Sequence, residues 1–264
     1  MLQYVQYNDK NTGPTLVAIP ALGERKEIFE ALSENLTEFR LIAVDLPGHN
    51  GASAKDFSIE NYIVDLDKLL KQLSISKAHF IGNSIGAWII QAYCNRYSES
   101  VLSLTLLDGG YYFIGDYADS EEEEIELPII ENNEDLRSAI QGQVESMELL
   151  SPNSKERLKT YFLDNFIQQD DVHVHHSDVN ALNSLSKAIS ETNYCLQQRS
   201  KLPILILLAD QEKEDSVKEK TASFLLLNKN ASIKCFPNSY HLLPITNPEA
   251  VSQNFNNLVK SLNH

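Results

Sequence analysis

FIGNSIGA, residues 80–87, places Ser84 between Gly82 and Gly86 where a buried run gives way to a helical one. AHFIG (78–82) reads as a strand and SIGAWIIQAYCNRY (84–97) as a helix. The serine therefore falls on a strand–turn–helix junction, the setting in which a G-x-S-x-G sequence builds a nucleophile elbow. Such a turn is tight enough to strain its central residue, and side chains two positions to either side would collide. Glycines at 82 and 86 remove those collisions. The following helix aims the positive end of its dipole at the serine. A polar loop without chemistry could have the same letters, so the rest of the chain decides.

Outward from the turn, strand and helix alternate. TLVAIP (15–20) and RLIAVDLP (40–47) are Val/Ile-rich runs closed by proline and read as buried strands. Between them ERKEIFEALSENL sets Ile28, Phe29, Leu32 and Leu36 at helical spacing. SIENYIVDLDKLLKQL (58–73) is a helix and VLSLTLLD (101–108) a strand. From Gly109 to Ser200 the strand signal fades into polar, helix-favouring segments, with EEEE at 121–124 read as a solvated loop or helix start. The rhythm then returns: LPILILLAD (202–210) and ASIKCFP (231–237) are strands, with a helix over about 214–227 between them. A last helix starts with Asn247 as N-cap, Pro248 at its first position and Glu249 in its first turn. The plan is an α/β fold with a mostly parallel sheet flanked by helices. Residues 1–110 and 200–264 form its core, and 111–199 a mainly helical insertion.

Composition narrows the partners. In 264 residues, 42% are hydrophobic and 22% charged, ordinary for a globular protein with a sizeable core. A net charge of −15 and a pI near 4.8 argue against nucleic acid or an anionic membrane as main partner, since both would repel the chain. The N-terminus lacks the basic-then-apolar pattern of a signal peptide. The longest apolar run, LPILILLA (202–209), is too short to span a bilayer. Cys94, Cys195 and Cys235 show no paired or metal-type spacing, and Cys94 and Cys235 lie in apolar segments as expected of small buried hydrophobes. A reducing, cytoplasmic setting is the expectation.

A serine hydroxyl needs a base to take its proton and a carboxylate to hold that base. His241, in PNSYHLLPITNPEAV, follows the last strand and precedes the final helix. This is the sheet edge where strands deliver their C-terminal ends. The loop after LPILILLAD offers Asp210, Glu212, Glu214 and Asp215, and the order serine, acid, histidine suits the arrangement.

With these residues in place the chain resembles the α/β-hydrolase superfamily, in the group with a helical cap inserted after the sixth strand. The resemblance rests on IPALGE (19–24), DLPGHNGAS (45–53), GNSIG (82–86), LPILILLADQE (202–212) and HLLPITNPEAV (241–251). It implies Ser84 as nucleophile and His241 as base. The family pattern after the strand is glycine with the acid three residues later, which puts Ala209 at the glycine position and Glu212 at the acid. Asp210 is the second choice, and Asp108 the third, because some relatives take the acid from that strand. The backbone N–H groups of Ile85 and Leu22 are implied as the oxyanion hole, although Pro20-Ala21 stands where relatives carry His-Gly. Asp45 and Gly48 are implied to be structural, and His49 a loop residue at the entrance.

Serine at the elbow excludes the dehalogenases and epoxide hydrolases of similar fold, which place aspartate there. The resemblance then implies hydrolysis of a small-molecule carboxylic ester, with no cofactor and no metal. Alternatives are a C–C hydrolase or lyase using the same triad, or a ligand receptor that never turns over. Tyr111 and Tyr112, at the start of the cap, are candidate substrate contacts. DVHVHHSDVNA (171–181) clusters His173, His175 and His176 with Asp171 and Asp178. It fails the HxHxDH metal pattern, which wants Asp at 177 and His at 178. These histidines are expected on the cap surface or facing the substrate.

Overall fold

Buried runs become a seven-stranded sheet in the computed structural model, which describes residues 2–52, 56–117, 124–196, 202–210 and 214–262. The first half contains β1 (Tyr4–Tyr7), β2 (Thr15–Ile19), a 3₁₀ turn over Lys26–Phe29 leading into α1 (Glu30–Asn35), and β3 (Arg40–Val44). It continues through α2 (Ile59–Gln72), β4 (Ala78–Asn83), α3 (Ile85–Arg96) and β5 (Val101–Leu107). The insertion holds β6 (Ile129–Ile130), α4 (Asn133–Glu145), α5 (Pro152–Leu163), β7 (Phe166–Gln169), β8 (Val172–His175) and α6 (Val179–Glu191). The chain closes with β9 (Ile204–Ala209), α7 (Glu214–Leu227), β10 (Ala231–Phe236), a short α8 (Leu243–Thr246) and α9 (Pro248–Ser261).

Strand order is β1-β3-β2-β4-β5-β9-β10, parallel throughout except for β1 against β3. The continuous apolar runs have a direct cause: Val17 and Ile19 of β2 enter one core, while Leu16 and Ala18 enter the other. Ile204, Ile206 and Leu208 of β9 likewise alternate with Leu205, Leu207 and Ala209. Each central strand is buried on both faces, as a parallel sheet between helical layers requires.

Three features differ from the sequence reading. The edge strand β1 was not foreseen, and the insertion follows the fifth strand in chain order, not a sixth. The insertion also carries its own antiparallel sheet, ordered β6-β8-β7, where a mainly helical segment without a sheet was expected. Its strands, II, FIQQ and VHVH, are only two to four residues long, so no sustained apolar run announces them. Helix starts fared better. Pro248 opens α9 after Asn247, as expected, but the Asn247 side chain caps nothing and instead accepts from Thr246 Oγ1 at 2.9 Å. The acidic run 121–124 falls largely outside the described residues.

The insertion has no core of its own among the described residues. Leu185 and Ile189 of α6 join the cluster with α2 and α3, while Leu136, Ile140 and Leu158 of α4 and α5 join the one with α1 and α9. Gly48 (φ +73°) lies so close to α6 that a Cβ there would sit 2.3 Å from the Ala181 methyl.

The junction of β4 and α3 is tighter still. A Cβ at Gly82 would lie 2.3 Å from the backbone of Gly86, and one at Gly86 2.3 Å from the Ile19 carbonyl oxygen. Both obstacles are backbone and cannot swing aside. Gly86→Ala is expected to destabilise the fold by about 3 kcal/mol, the upper range for overpacking. Gly142→Ala, in α4 with nothing within 4 Å of the new methyl, should stabilise by roughly 0.5–1 kcal/mol through helix propensity. Chemical denaturation of the two variants checks both signs.

Candidate active site

Ser84 stands at the head of α3 with φ 52° and ψ −121°, a conformation that L-residues adopt only when the surroundings force it. The force is visible. Ser84 N donates to Leu107 O at 2.8 Å, and Ser84 O accepts from Ala87 N at 2.8 Å. On the far side Gly109 packs so closely that a Cβ would come within 2.9 Å of Ser84 Cα. The strained turn is thus held by α3, by the end of β5 and by the glycines on both sides.

Asn83, at a variable position of the motif, turns out to be structural cement. Fully buried, its Nδ2 donates to Leu107 O and to His241 O, both at 3.1 Å. One amide therefore ties the serine turn to the end of β5 and to the loop carrying His241. Sequence reasoning passed over it, and the only available signal was an amide beside the serine.

His241 is brought to a carboxylate. Its Nδ1 lies 2.5 Å from Asp108 Oδ2, and Asp108 Oδ1 accepts from Ala209 N at 2.9 Å. Asp108 directly follows β5, with φ 48°, and its side chain reaches across to the end of the neighbouring β9. Asp210 is engaged elsewhere: Oδ2 accepts from Asn238 N at 3.2 Å, bracing the turn after β10. Glu212 lies outside the described residues, so among those described the acid joined to His241 is Asp108. Ser84 Oγ makes no hydrogen bond to the imidazole among the described residues.

The loop after β2 carries the other expected donor. Leu22 N–H has no acceptor among the described residues, and Ile85, as first residue of α3, has no preceding turn to accept its own. The two segments are neighbours, because α3 abuts Ile19 and Pro20 at Gly86. The adjacent Gly23 (φ +79°) is gripped from both sides. Its N–H donates to His49 Nε2 at 2.9 Å, and its C=O accepts from His176 Nε2 at 3.1 Å.

His49 is therefore no entrance residue. It is fully buried, with Nδ1–H donating to Pro47 O at 3.0 Å. His173 and His176 are buried too, not on the surface of the insertion, and His175 is half-buried. Asp178 caps α6 by accepting from Asn180 N at 2.8 Å. Among the described residues no group of three or more His, Cys, Asp or Glu is placed to hold a metal. Asp45, buried, accepts from Lys26 N and Lys26 Nζ, both at 2.7 Å, which fixes the 3₁₀ turn.

A family model described as the alpha/beta hydrolase fold matches residues 14–248. The chain belongs to that family. Among curated proteins it is 31% identical over 113 residues to Lipase 3 of Moraxella sp. (strain TA144), covering 41% of this chain and 36% of that protein. It is 29% identical over 100 residues to a putative 2-succinyl-6-hydroxy-2,4-cyclohexadiene-1-carboxylate synthase of Bacillus subtilis (strain 168), covering 36% of each. The chain thus matches only about a third of the length of either. Among solved structures, E-2-(acetamidomethylene)succinate hydrolase superposes with a TM-score of 0.76 at 16% identity, over 98% of this chain and 100% of that one. A thermophilic esterase from Thermogutta terrifontis gives 0.69 at 19% identity, over 98% and 93%. At such identities these two speak for the fold alone.

Tyr111 and Tyr112 line a cavity of about 170 Å³ with Cys195, Lys220 and Phe224, and neither Ser84 nor His241 is in its wall. Trp88 Nε1 donates to Tyr112 O at 2.9 Å, so this segment packs on α3. Cys94 is buried as expected, but Cys235 is exposed on the edge strand β10. No described helix is long and apolar enough to cross a membrane.

Burial pushes His49 down to about 4 against the bond to Pro47, and pushes His176 down to about 2 with help from nearby His175. Both rings are neutral in the fold. Each favours the folded state fully above the unfolded histidine pKa of about 6.5, and that contribution is lost as pH falls from there toward the folded value. At pH 5, where an ordinary imidazole is charged, ring ¹⁵N NMR should show His49 and His176 still neutral. Imidazolium shifts at that pH would contradict the assignment.

Proposed function

We propose that the chain is a serine hydrolase that cleaves a small carboxylic ester through an acyl-enzyme intermediate, with residues 111–199 as cap. The observation that carries this reading is the His241–Asp108 pair at 2.5 Å, tied through Asn83 to the strained turn that presents Ser84. In the proposed cycle Ser84 Oγ attacks the ester carbonyl while His241 Nε2 takes its proton. Asp108 fixes the tautomer at Nδ1 and stabilises the imidazolium. The N–H groups of Leu22 and Ile85 receive the oxyanion. The proton on His241 passes to the leaving alcohol, and a water activated by the same base then releases the acid. None of these steps calls for a cofactor. The stretch of similarity to a lipase supports the ester as substrate class.

The similarity to the B. subtilis putative synthase favours a second reading, in which the same triad serves a lyase or a C–C hydrolase. The two differ in what is turned over. An ester hydrolase should cleave short-chain aryl esters and be labelled by a fluorophosphonate at Ser84, with Ser84→Ala abolishing both. Labelling without ester turnover would favour the second reading, and an unlabelled wild type would sink the serine mechanism.

The acid is tested separately. Asp108→Asn should lower kcat by on the order of 10³–10⁴-fold, as loss of the orienting carboxylate does in such triads. Asp210→Asn should stay within a few-fold of wild type. Steady-state kinetics of these variants beside Glu212→Gln decide which carboxylate serves His241.

A further inference from the structure

The loop that would carry one oxyanion donor is held largely from the insertion. Three consecutive residues are gripped in turn. Gly23 O accepts from His176 Nε2 at 3.1 Å. Glu24 Oε2 accepts from Asn165 Nδ2 at 3.3 Å. Arg25 N donates to Tyr161 Oη at 2.9 Å, and that hydroxyl lies 3.2 Å from Arg25 O, to which it donates. His176 follows β8, and Tyr161 and Asn165 belong to α5 and the turn behind it. From the core side, His49 Nε2 receives Gly23 N–H at 2.9 Å.

The partners dictate the tautomers. Pro47 O can only accept, so His49 carries its proton on Nδ1 and offers a bare Nε2 to Gly23 N–H. Gly23 O can only accept, so His176 carries its proton on Nε2, leaving Nδ1 to receive Asn50 N–H at 3.0 Å. Two neutral rings thus fix the peptide groups on both sides of Gly23. That residue, at φ +79°, would otherwise be the loosest point of the loop.

We infer that the insertion is part of the catalytic frame, with His176 and Tyr161 as positioning residues that set the direction of the Leu22 N–H. The inference rests on the hydrolase reading above, in which Leu22 receives the oxyanion. A donor must be in place before charge develops if it is to act on the transition state more than on the substrate. A loop anchored at three successive residues meets that condition. The insertion therefore has a function beyond covering substrate.

The test compares wild type, His176→Ala, His176→Gln and Tyr161→Phe by ester kinetics, aryl boronate affinity and amide hydrogen exchange. In His176→Ala, exchange across residues 21–25 should quicken, and kcat and kcat/KM should fall together by about tenfold or more with KM within twofold. This is less than the roughly 10²–10³-fold loss of a deleted oxyanion donor. Affinity for an aryl boronate, which mimics the tetrahedral species, should fall in step, while affinity for a product carboxylate should not. His176→Gln, whose amide can still donate to Gly23 O, should recover part of the loss. Tyr161→Phe keeps the ring and should show a smaller loss of the same kind, which decides the matter if His176→Ala fails to fold. A lowered melting temperature with kcat within twofold of wild type would reduce these residues to structural roles and overturn the inference. A wild type inert to esters and fluorophosphonate would fail the hydrolase reading first. Unchanged exchange in His176→Ala would then overturn the clamp by itself.

Discussion

The molecule depends on one close approach, the contact of Gly86 at the head of α3 with the carbonyl of Ile19 at the end of β2. A single methyl group there would overlap backbone. Because β2 and β4 are neighbours in the sheet, with Ile19 opposite Gly82, the contact fixes how steeply the chain turns from strand to helix. That slope forces Ser84 to a positive φ. It also sets the start of α3 beside the loop that leaves β2, so two segments distant in sequence come together there. The strained Ser84 and its surroundings are thus consequences of a packing distance.

That constraint was legible because it writes itself in glycines. A backbone that must come within van der Waals range of another backbone excludes every other residue, and the exclusion appears as G-x-S-x-G. The long strands were legible for a similar reason, since burial on both faces demands unbroken apolar runs such as TLVAI and ILILLA. The acid was not legible in the same way. β5 and β9 are adjacent, with Leu107 opposite Leu207, so Asp108 and Asp210 leave the sheet at the same edge. Either strand can deliver a carboxylate to His241 from there. Sequence order favoured the loop after β9; among the described residues the Asp108 side chain meets His241 while that of Asp210 meets Asn238 N. Asn83 escaped notice for a related reason: its partners, Leu107 O and His241 O, are backbone atoms that leave no mark in the letters.

The insertion was the least legible part. VHVH has the two-residue period of a strand, but the alternation is between valine and histidine, and clustered histidines draw attention to metals. The structure spends them differently. The hairpin of β7 and β8 turns at Asp170, φ 52°, and delivers His176 to the loop after β2. A histidine that bonds backbone at both nitrogens has no sequence signature, because any residue can supply the carbonyl and the amide.

The use of histidine here has a physical reason. A loop lying against the sheet edge buries peptide groups that no strand can pair, and each must find a partner. Ladder pairing is unavailable here, because the loop has already left β2 and no described strand lies alongside it. Side chains must do the pairing instead, and they must be neutral, because a charge desolvated at this depth would be costly. A neutral imidazole offers one donor and one acceptor on a rigid ring, so a single residue can bridge two backbone groups. His49 bridges Pro47 O and Gly23 N, and His176 bridges Gly23 O and Asn50 N. Together they lace three loops through one glycine. The low pKa of each ring follows from the same burial, because protonation would put two donors where the backbone supplies one donor and one acceptor. The segment Pro20-Ala21 departs from His-Gly without leaving the loop slack: its fixed points come from elsewhere in the chain, His49 in the core and His176, Asn165 and Tyr161 in the insertion.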